Sequence, residues 1–363
     1  MPVSIVVGGQ FGSEGKGKVA LELARRSRET DVTLVRVGGP NSGHTGYDRQ
    51  GKRFALRQLP AGCIDRNVDV VFPAGSYLDL DVLRKEIKAL DYPEDRIYIS
   101  ENAQIITEEH KHWEANADLI GAIGSTGSGV GAAVIARVAR GAKNIPLNAI
   151  SALDAKAWEN VPGKVCDTTA LLRAKADRGE RIIVEGSQGF GLSLLDGGYW
   201  PKATARTTTA AGALAETGLS PFDVDDVTLV IRSFPIRVAG QESGPLTNEM
   251  SWQDVAKVTG RVDDLSEYTT VTKKLRRVGA FDAKLVKRAI QANKPTRLVL
   301  NHLDYVGALE DFSDEGSQLS TFVEFVESDV GRSIDWFGFS PFSVFDRENA
   351  FLSEQLMTQS TSR

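Results

Sequence analysis

A glycine-rich segment, set between a short apolar run and a helical pattern, is the strongest constraint on how this chain can fold. Residues 8–18 read GGQFGSEGKGK. The β-branched run 5–7 before them predicts a buried strand, and the periodic apolar positions of 16–28 predict a helix. A glycine turn of this kind points backbone N–H groups and a helix N-terminus at one place, which suits a phosphate. A tight strand–helix connection with solvated lysines is the alternative interpretation.

Apolar runs alternate with helical patterns along the rest of the chain. Buried strands are predicted at 32–37, 68–72, 182–185, 227–231 and 298–300, and helices near 80–90, 131–140, 168–178, 206–217 and 281–292. This alternation predicts an α/β fold with a mainly parallel central sheet flanked by helices, and with a glycine loop like that of P-loop NTPases after the first strand. Because neither a repeat nor a linker interrupts the pattern, we expect a single domain over 1–363.

Composition excludes several classes of function. The formal net charge of -5 argues against a nucleic-acid partner. Cys63 and Cys166 are far apart and lie in no CxxC motif, which indicates a reducing compartment and neither a disulfide scaffold nor a zinc site. No apolar run approaches the roughly 20 residues of a membrane-spanning helix, and the first residues do not resemble a signal peptide. We therefore expect a cytoplasmic protein.

The glycine segment differs from the P-loop motif in two respects. Its glycines are spaced differently, and Gly17 stands where that motif has the Ser or Thr that holds Mg²⁺. These differences argue against a P-loop NTPase that is coupled to a protein partner.

The segment resembles instead the first signature of the adenylosuccinate synthetases, and GGPNSGHT at 38–45 resembles the second. Shorter matches follow in the order of that family, namely GSTGSGVG at 124–131, VEGSQG at 184–189, a Thr-rich stretch at 204–211, TVTKKLRRVGAFD at 270–282 and LNHLD at 300–304. The resemblance extends from residue 4 to about residue 345. It implies a ligase in which a nucleoside triphosphate phosphorylates the 6-oxygen of a purine nucleotide, and the amine of L-aspartate then displaces that phosphate.

The resemblance assigns the chemistry to a few residues. His44 would act as the general acid at the 6-oxygen, Lys16 would bring positive charge to the transferred phosphoryl group, and Gln188 would contact the 6-position of the purine. The Gly43 carbonyl would bind Mg²⁺, the implied metal, and Ser13 occupies the other metal-binding position of the family. A hydrogen-bonded loop histidine and a loop-tying glutamine are the alternatives for His44 and Gln188.

The resemblance also implies three sets of substrate-binding residues. The acceptor nucleotide would be bound by Ser13, Asn41, Ser125, Thr126, Arg140, Gln188 and Thr204. Aspartate would be bound by Thr272, Arg276 and Arg277. The triphosphate donor would be bound by Gly12, Gly15, Lys16, Gly17, His44, Thr45, His302, Asp304, Gly338 and Pro341.

Each set has a structural alternative. Arg140 would reach the nucleotide of the other subunit in a homodimer, or else it is a solvated residue at a helix end. Ser125 and Thr126 could cap the helix that follows them. The stretch 267–277 could be a solvated basic loop.

Ser13 is the departure from the family that matters most, because nearly all members have an Asp there as the general base at purine N1. A serine hydroxyl cannot replace it as an unaided base. Three explanations are open: the protein is inactive, another group or water accepts the proton, or the acceptor nucleotide is a different one. Serine leaves room for a purine 2-amino group and can accept a hydrogen bond from it. The bacteriophage 2-aminoadenylosuccinate synthetases carry Ser in this motif and act on dGMP. We therefore expect dGMP, with IMP as the alternative, and host cytoplasm as the location if the chain is phage-encoded.

Other departures concern the ribose and the donor. Lys274 and Leu275 stand where arginines are usual, and one such arginine normally contacts the ribose 2′-hydroxyl. His302 replaces the lysine of the motif that reads guanine, and Phe339 replaces a small residue, so we expect ATP or dATP rather than GTP.

A non-catalytic nucleotide-binding protein that has lost its base at Ser13 is the alternative of another class. The presence of Lys16, Asn41, His44 and Gln188 favours an enzyme, because binding alone would not require the acid.

Overall fold

The computed structural model describes residues 2–27, 31–65, 68–157, 159–260, 262, 264–269, 273–312 and 314–348. The strands are β1 Val3–Gly8, β2 Val32–Arg36, β3 His44–Tyr47, β4 Arg53–Leu56, β5 Asp69–Phe72, β6 Tyr77–Leu78, β7 Ile97–Ser100, β8 Gln104–Ile105, β9 Lys164–Cys166, β10 Arg181–Gly189, β11 Val224–Arg232, β12 Ile236–Arg237, β13 Glu249–Met250, β14 Arg277–Gly279, β15 Arg297–Asn301, β16 Trp336–Phe337 and β17 Phe345–Asp346. The helices are α1 Lys16–Arg26, α2 Leu80–Leu90, α3 Glu108–Asn116, α4 Leu119–Ile123, α5 Val130–Ala139, α6 Ala152–Ala155, α7 Thr168–Asp177, α8 Ala210–Thr217, α9 Trp252–Val258, α10 Ala283–Asn293 and α11 Gln318–Val330.

Ten of these strands form one sheet, in the order β17-β16-β15-β11-β1-β10-β2-β5-β7-β9. The pairings between these neighbours are parallel, except that β16 and β17 are antiparallel. The carboxyl ends of the parallel strands therefore meet at one edge of the sheet, where ligand sites of open α/β sheets lie. The expected α/β fold with a mainly parallel sheet is confirmed. The single-domain organisation stays a prediction.

Strand β1 lies in the middle of this sheet, and its side chains alternate between two hydrophobic cores. Ile5 and Val7 pack on one side, in a core that includes Leu229, whereas Val6 packs on the other side with Val230. A central strand of a parallel sheet is covered on both faces by helices, which explains its continuous apolar run. This double burial holds the end of β1 rigidly where the glycine loop begins.

Most predicted elements are present, and their actual ends follow from capping. The helix predicted near 206–217 begins at Ala210, because Thr209 accepts a hydrogen bond from the backbone N–H of Gly212 as its N-cap. The helix predicted near 281–292 begins at Ala283, because Asp282 caps it in the same way. The helix predicted from residue 16 ends at Arg26, and its predicted last residue, 28, lies outside the described residues.

Three small sheets surround the carboxyl edge of the large one. Strands β3 and β4 form a hairpin, β12, β14 and β13 form an antiparallel sheet, and β6 pairs with β8. The hairpin carries the GHT motif, and the antiparallel sheet carries the end of the 267–277 stretch. Both motifs are thereby placed beside the glycine loop. Within the described ranges, no helix is long and apolar enough to cross a membrane.

Candidate active site

A cavity of about 590 Å³ opens at the carboxyl edge of the sheet. It is lined by many residues that the sequence singles out, namely Gly12, Ser13, Gly15, Lys16, Gly17, Asn41, Gly43, His44, Thr45, Ser125, Thr126, Gln188, Thr204, Arg276 and His302. Its charged lining contains the cations Lys16, Arg53, Lys202, Arg237, Lys274 and Arg276 and the carboxylates Glu114, Glu242 and Glu267. The surplus of cations suits anionic ligands such as nucleotide phosphates and carboxylates.

The glycine loop is held from behind by Glu14, a completely buried carboxylate. Its Oε1 accepts hydrogen bonds from the backbone N–H groups of Gln10 and Gly12, at 3.1 and 2.7 Å. Its Oε2 accepts one from Lys16 Nζ at 2.7 Å. Gly15 then adopts a left-handed conformation, with φ of 92°, and α1 begins at the next residue. The loop and the first turn of α1 thus present backbone N–H groups to the cavity, and Lys16, which also lines the cavity, has its ammonium on Glu14.

Ser13 lies at the cavity wall in a left-handed conformation, with φ of 58°. Its Oγ accepts a hydrogen bond of 2.8 Å from Arg276 Nη1, and its carbonyl accepts one of 3.1 Å from Arg232 Nη1. The position at which the family has an acidic side chain is therefore bordered by two guanidinium groups.

His44 lines the cavity from the start of β3 and is 5% exposed. Its Nδ1 contacts Glu185 Oε1, and its Nε2 lies 3.3 Å from Ser42 Oγ. Burial, together with the positive charge of Arg36, lowers the pKa of His44 to about 4 against the opposing charge of Glu185. His44 is hence a neutral imidazole near pH 7 in this state of the protein.

An ion pair between a buried arginine and a half-buried glutamate connects the glycine loop to the 267–277 stretch. Arg232 is fully buried at the end of β11 and pairs with Glu267, which also accepts a hydrogen bond of 2.8 Å from Tyr305. Burial would raise the pKa of Glu267, but the charge and hydrogen bond of Arg232, together with the charges of its other cationic neighbours, lower this pKa to about 2. The carboxylate is therefore ionised at neutral pH and keeps this part of the wall in place.

Two amide side chains at the cavity have unused acceptors. Asn41 Oδ1 and Gln188 Oε1 are buried, and neither accepts a hydrogen bond within the described residues. Buried acceptors of this kind cost free energy unless a ligand or water satisfies them. Gln188 also adopts a left-handed conformation, with φ of 59°, at the end of β10. Both observations are typical of a ligand-binding wall.

Ser125 and Thr126 lie in the turn before α5 and line the cavity. The alternative that they cap this helix is wrong, because the N-cap of α5 is Gly129. Ser125 Oγ accepts from the backbone N–H of Gly127, and Thr126 Oγ1 lies 2.8 Å from Ser128 Oγ. Both residues line the same cavity as Thr204.

Several residues that the resemblance selects do not line the cavity. Arg140 is exposed in a left-handed conformation after α5, and Pro341 is also exposed. Arg277 pairs instead with Glu249 and donates to the carbonyls of Gly240 and Gly244. Thr272 lies outside the described residues.

Asp304 and Gly338 are found near Lys18, behind the glycine loop. A side chain at Gly338 would lie 2.6 Å from Lys18 Nζ, and this ammonium donates to the carbonyl of Ser340 at 2.7 Å. Burial lowers the pKa of Lys18 to about 8, and the charge of Asp304 opposes this effect. His302 links this region to the cavity, because it lines the cavity and hydrogen-bonds with the backbone of Ser13. Burial lowers the pKa of His302 well below its ordinary value.

The residues that are implied to bind Mg²⁺ fit this ion unequally. Within the described part of the chain, no group of three or more His, Cys, Asp or Glu side chains is placed to hold a metal. Mg²⁺ is commonly bound by one or two protein ligands together with phosphates and water, so the Gly43 carbonyl at the cavity wall fits. Ser13 Oγ fits poorly, because the guanidinium of Arg276 donates to it at 2.8 Å.

Sequence reasoning missed the buried charges that support the site. These are the buried Glu14, Arg36, Glu185 and Arg232, together with the half-buried Glu267. They form pairs between residues that are mostly distant in sequence, such as Arg36 with Glu185 and Arg232 with Glu267. One signal was present, since Arg36, Glu185 and Arg232 each stand in or at the end of an apolar strand. Charged residues are rarely buried unless they are paired, so a charge in such a strand indicates a partner at the same edge.

Comparison with known proteins agrees with this geometry. The adenylosuccinate synthetase family model matches residues 5–146 and 144–313. The adenylosuccinate synthetase of Pyrococcus sp. (strain ST700) is 35% identical over 338 residues, which are 91% of this chain and 94% of that protein. The enzyme of Methanococcus aeolicus is 33% identical with the same coverage.

Two solved structures share the fold. The succinoaminodeoxyadenylate synthetase of cyanophage S-2L, bound to dGMP and to dATP as an energy donor, superposes with a TM-score of 0.79 at 28% identity and covers 97% of this chain and 99% of that one. Fully ligated adenylosuccinate synthetase from Plasmodium falciparum also gives a TM-score of 0.79, at 20% identity, with 96% and 100% of the chains covered. This chain belongs to the adenylosuccinate synthetase family and is a nucleoside-triphosphate-dependent carbon–nitrogen ligase.

Proposed function

We propose that this ligase joins L-aspartate to the 6-position of dGMP and forms 2-aminoadenylosuccinate deoxynucleotide. The observation that carries the proposal is Ser13, a small hydroxyl residue at the cavity wall whose oxygen is held by Arg276. The cyanophage S-2L relative, which is described with dGMP bound, supports the same acceptor. The alternative acceptor is IMP, and the archaeal adenylosuccinate synthetases, which are 33% and 35% identical, favour it.

The preference follows from the hydrogen bonds of the purine edge. A guanine 2-amino group adds donors, and a buried donor without a partner costs on the order of 1–3 kcal/mol. Arg276 uses one lone pair of Ser13 Oγ, which leaves the other lone pair as an acceptor for the 2-amino group. Ser13 also has its own hydroxyl hydrogen to donate to purine N3. Hypoxanthine has no 2-amino group, so it would leave the second lone pair of Ser13 Oγ without a hydrogen bond.

The reaction would have two steps. The γ-phosphoryl group of the donor is first transferred to the 6-oxygen of the acceptor, and the aspartate amine then attacks C6 and expels phosphate. Lys16 and the N–H groups at the start of α1 stabilise the charge on the transferred phosphoryl group. His44 and Gln188 hold the 6-oxygen side of the purine. Mg²⁺, on which the family depends, would neutralise charge on the phosphates beside the Gly43 carbonyl.

The proton at purine N1 must leave during the first step. Ser13 is too weak a base to remove it unaided, so we propose that water accepts it. The guanidinium of Arg276 lies beside Ser13 and stabilises the negative charge that remains on the purine. The same guanidinium would then bind a carboxylate of aspartate.

A panel of four acceptors tests the proposal. With aspartate, Mg²⁺ and the donor fixed, phosphate release is measured for dGMP, GMP, dIMP and IMP, each alone and in competition. This panel separates the effect of the 2-amino group from that of the 2′-hydroxyl. We expect kcat/KM to be highest for dGMP. Exclusive use of IMP would refute the dGMP assignment, and release from none of the four would favour the non-catalytic alternative.

For the donor we propose ATP or dATP. His302 stands in place of the lysine that accompanies guanine recognition, and the cyanophage relative is described with dATP as its energy donor. A panel of ATP, dATP, GTP and dGTP at saturating acceptor tests this preference. Exclusive use of GTP would refute it.

We further propose a homodimer in which Arg140 completes the site of the other subunit. Arg140 is exposed beside α5, whose first turn borders the cavity through Val130 and Gly131. Mixing two inactive variants, Arg140→Ala and His44→Ala, tests the idea. Mixed dimers would regain activity at one site in each pair, whereas a monomeric mass with full activity would contradict it.

A further inference from the structure

Three buried charged or titratable side chains meet behind the cavity wall. Arg36 ends β2, His44 begins β3, and Glu185 lies in β10, and they are 3%, 5% and 1% exposed. Arg36 and Glu185 are register partners in the parallel pairing of β2 with β10. The large sheet itself therefore places this pair against the histidine of the hairpin.

Glu185 determines which nitrogen of His44 carries a hydrogen. Burial would raise the pKa of Glu185, but the charges and hydrogen bonds of its neighbours lower it, so the carboxylate is ionised and can only accept. Its Oε1 is in contact with His44 Nδ1, and two acceptors would repel each other there. Arg36 Nη1, which can only donate, lies 3.0 Å from the same nitrogen, but the carboxylate is in closer contact, so Nδ1 carries the hydrogen. Oε2 is satisfied separately by the backbone N–H of Ala61, at 2.9 Å.

Arg36 holds the other side of this arrangement. Its Nη1 lies 3.4 Å from Glu185 Oε1 and donates to the carbonyl of Gly186 at 3.3 Å. Its Nη2 donates to the carbonyl of Ser42 at 3.1 Å, in the turn that leads to His44. Arg36 thus fixes both the carboxylate and the turn, and it compensates a negative charge that would otherwise be costly to bury.

We propose that Glu185 is the positioning residue of His44 and that Arg36 is the charge partner that keeps Glu185 in place. With Nδ1–H donated to Glu185, His44 directs Nε2 toward Ser42 Oγ and the cavity, where the 6-oxygen of the acceptor would bind. The 6-oxygen is an acceptor, so Nε2 can donate to it only when the ring is an imidazolium, and the Glu185 carboxylate stabilises that charge. Glu185 does not line the cavity and acts only through His44. The inference rests on the role proposed above for His44, and it is the same for dGMP and for IMP.

Glu86 provides a matched control, because it is a buried carboxylate of the same region without a contact to His44. It is 7% exposed and accepts hydrogen bonds from the backbone N–H groups of Arg57, Gln58 and Leu59. If Glu185 were only a structural carboxylate, Glu185→Gln and Glu86→Gln would have similar effects on turnover.

The first experiment uses the unmodified protein. Nitrogen NMR of the imidazole rings at fixed pH, with His44→Gln to assign the signal, reports which ring nitrogen of His44 carries the hydrogen. The Nδ1–H tautomer supports the proposal, and the Nε2–H tautomer overturns it. This measurement does not depend on any variant at position 185.

The second experiment measures turnover with whichever acceptor the enzyme uses. We expect Glu185→Gln to lower kcat roughly 10- to 100-fold, as for other residues that orient a functional histidine, with KM values within about threefold. Glu185→Asp should recover part of the loss, and Glu86→Gln should keep kcat. Equal losses in the two Gln variants, or wild-type turnover in Glu185→Gln, would overturn the proposal. The choice of acceptor in the same assay tests the dGMP assignment separately.

Discussion

Arg276 Nη1 donates a hydrogen bond of 2.8 Å to Ser13 Oγ across the cavity wall. The residue that is implied to bind aspartate is thus joined to the residue that faces the acceptor purine. Arg276 also donates to the carbonyl of Tyr268 at 3.3 Å, which leaves its guanidinium fixed on two sides. A substitution of Ser13 should therefore affect the binding of both the acceptor nucleotide and aspartate.

Replacing Ser13 by Asp should change the binding of both the acceptor nucleotide and aspartate. A carboxylate at this position would form an ion pair with Arg276 and take room from the purine 2-amino group. We expect kcat/KM for dGMP to fall about 10- to 100-fold and the KM for aspartate to rise. Turnover of IMP should rise if the carboxylate also places Mg²⁺. Steady-state kinetics with both acceptors checks this, with Ser13→Ala as the uncharged control. Unchanged kcat/KM for dGMP in Ser13→Asp would contradict the assignment.

Arg276 and Arg277 are neighbours in sequence but should differ in function. Arg276→Lys loses the planar fork that can bind a carboxylate, so the KM for aspartate should rise roughly tenfold or more. Arg277 forms such a fork with Glu249 outside the cavity, so Arg277→Lys should leave this KM within about threefold and lower thermal stability instead. Kinetics and thermal unfolding of both variants separate the two roles. A large rise in the KM for aspartate in Arg277→Lys would show instead that Arg277 binds aspartate.

The pair of Arg232 with Glu267 should make stability depend on pH in a defined range. The pKa of Glu267 is lowered from 4.5 to about 2, so its stabilisation is present above the unfolded pKa and is lost as pH falls toward 2. Glu267→Gln leaves a buried guanidinium without its partner, which should cost about 3 kcal/mol at pH 7. The difference between the two proteins in free energy of unfolding should narrow below about pH 4. Urea unfolding at several pH values measures this difference in free energy of unfolding. A difference that stays constant with pH would argue against the ion pair of Arg232 with Glu267.

Gly189 should be intolerant of any side chain. A Cβ at this position would lie 2.6 Å from both the carbonyl of Gln10 and the backbone nitrogen of Gly12, and it would also meet the Glu14 carboxylate. Gly189→Ala should therefore displace the glycine loop, lower stability by about 1–3 kcal/mol and weaken binding of the donor. Thermal unfolding with and without donor measures both effects. Wild-type donor affinity in Gly189→Ala would contradict this expectation, because it would show that the glycine loop tolerates the added side chain.

The sequence predicts the framework of the sheet well because the long parallel strands are continuous apolar runs. Strands β1, β2, β5, β11 and β15 are recognisable for this reason. Strands β9 and β16 have three and two residues and are too short to show a pattern. Helix α3 was also missed, because EEHKHWEAN has hardly any apolar periodicity.

The site was predictable where chemistry is local in sequence. The glycine loop, the GHT turn and the end of β10 are short motifs, and each lines the cavity. The contacts between motifs were not predictable, since Arg276 lies 263 residues from Ser13. Motif matching alone also could not separate Arg276 from Arg277, because strand β14 begins at Arg277 and turns the two side chains to different surroundings.

The pairing of β1 has a consequence for how the protein is made. Val3 pairs with Ile182 on one side and with Val224 on the other, so both neighbours of the first strand leave the ribosome long after it. The glycine loop has no scaffold until those later segments have been synthesised and have closed very long chain loops. A truncated product that stops before β10 should therefore be unable to hold a nucleotide, although it contains both signature motifs. Nucleotide binding can begin only after β10 and β11 have been synthesised.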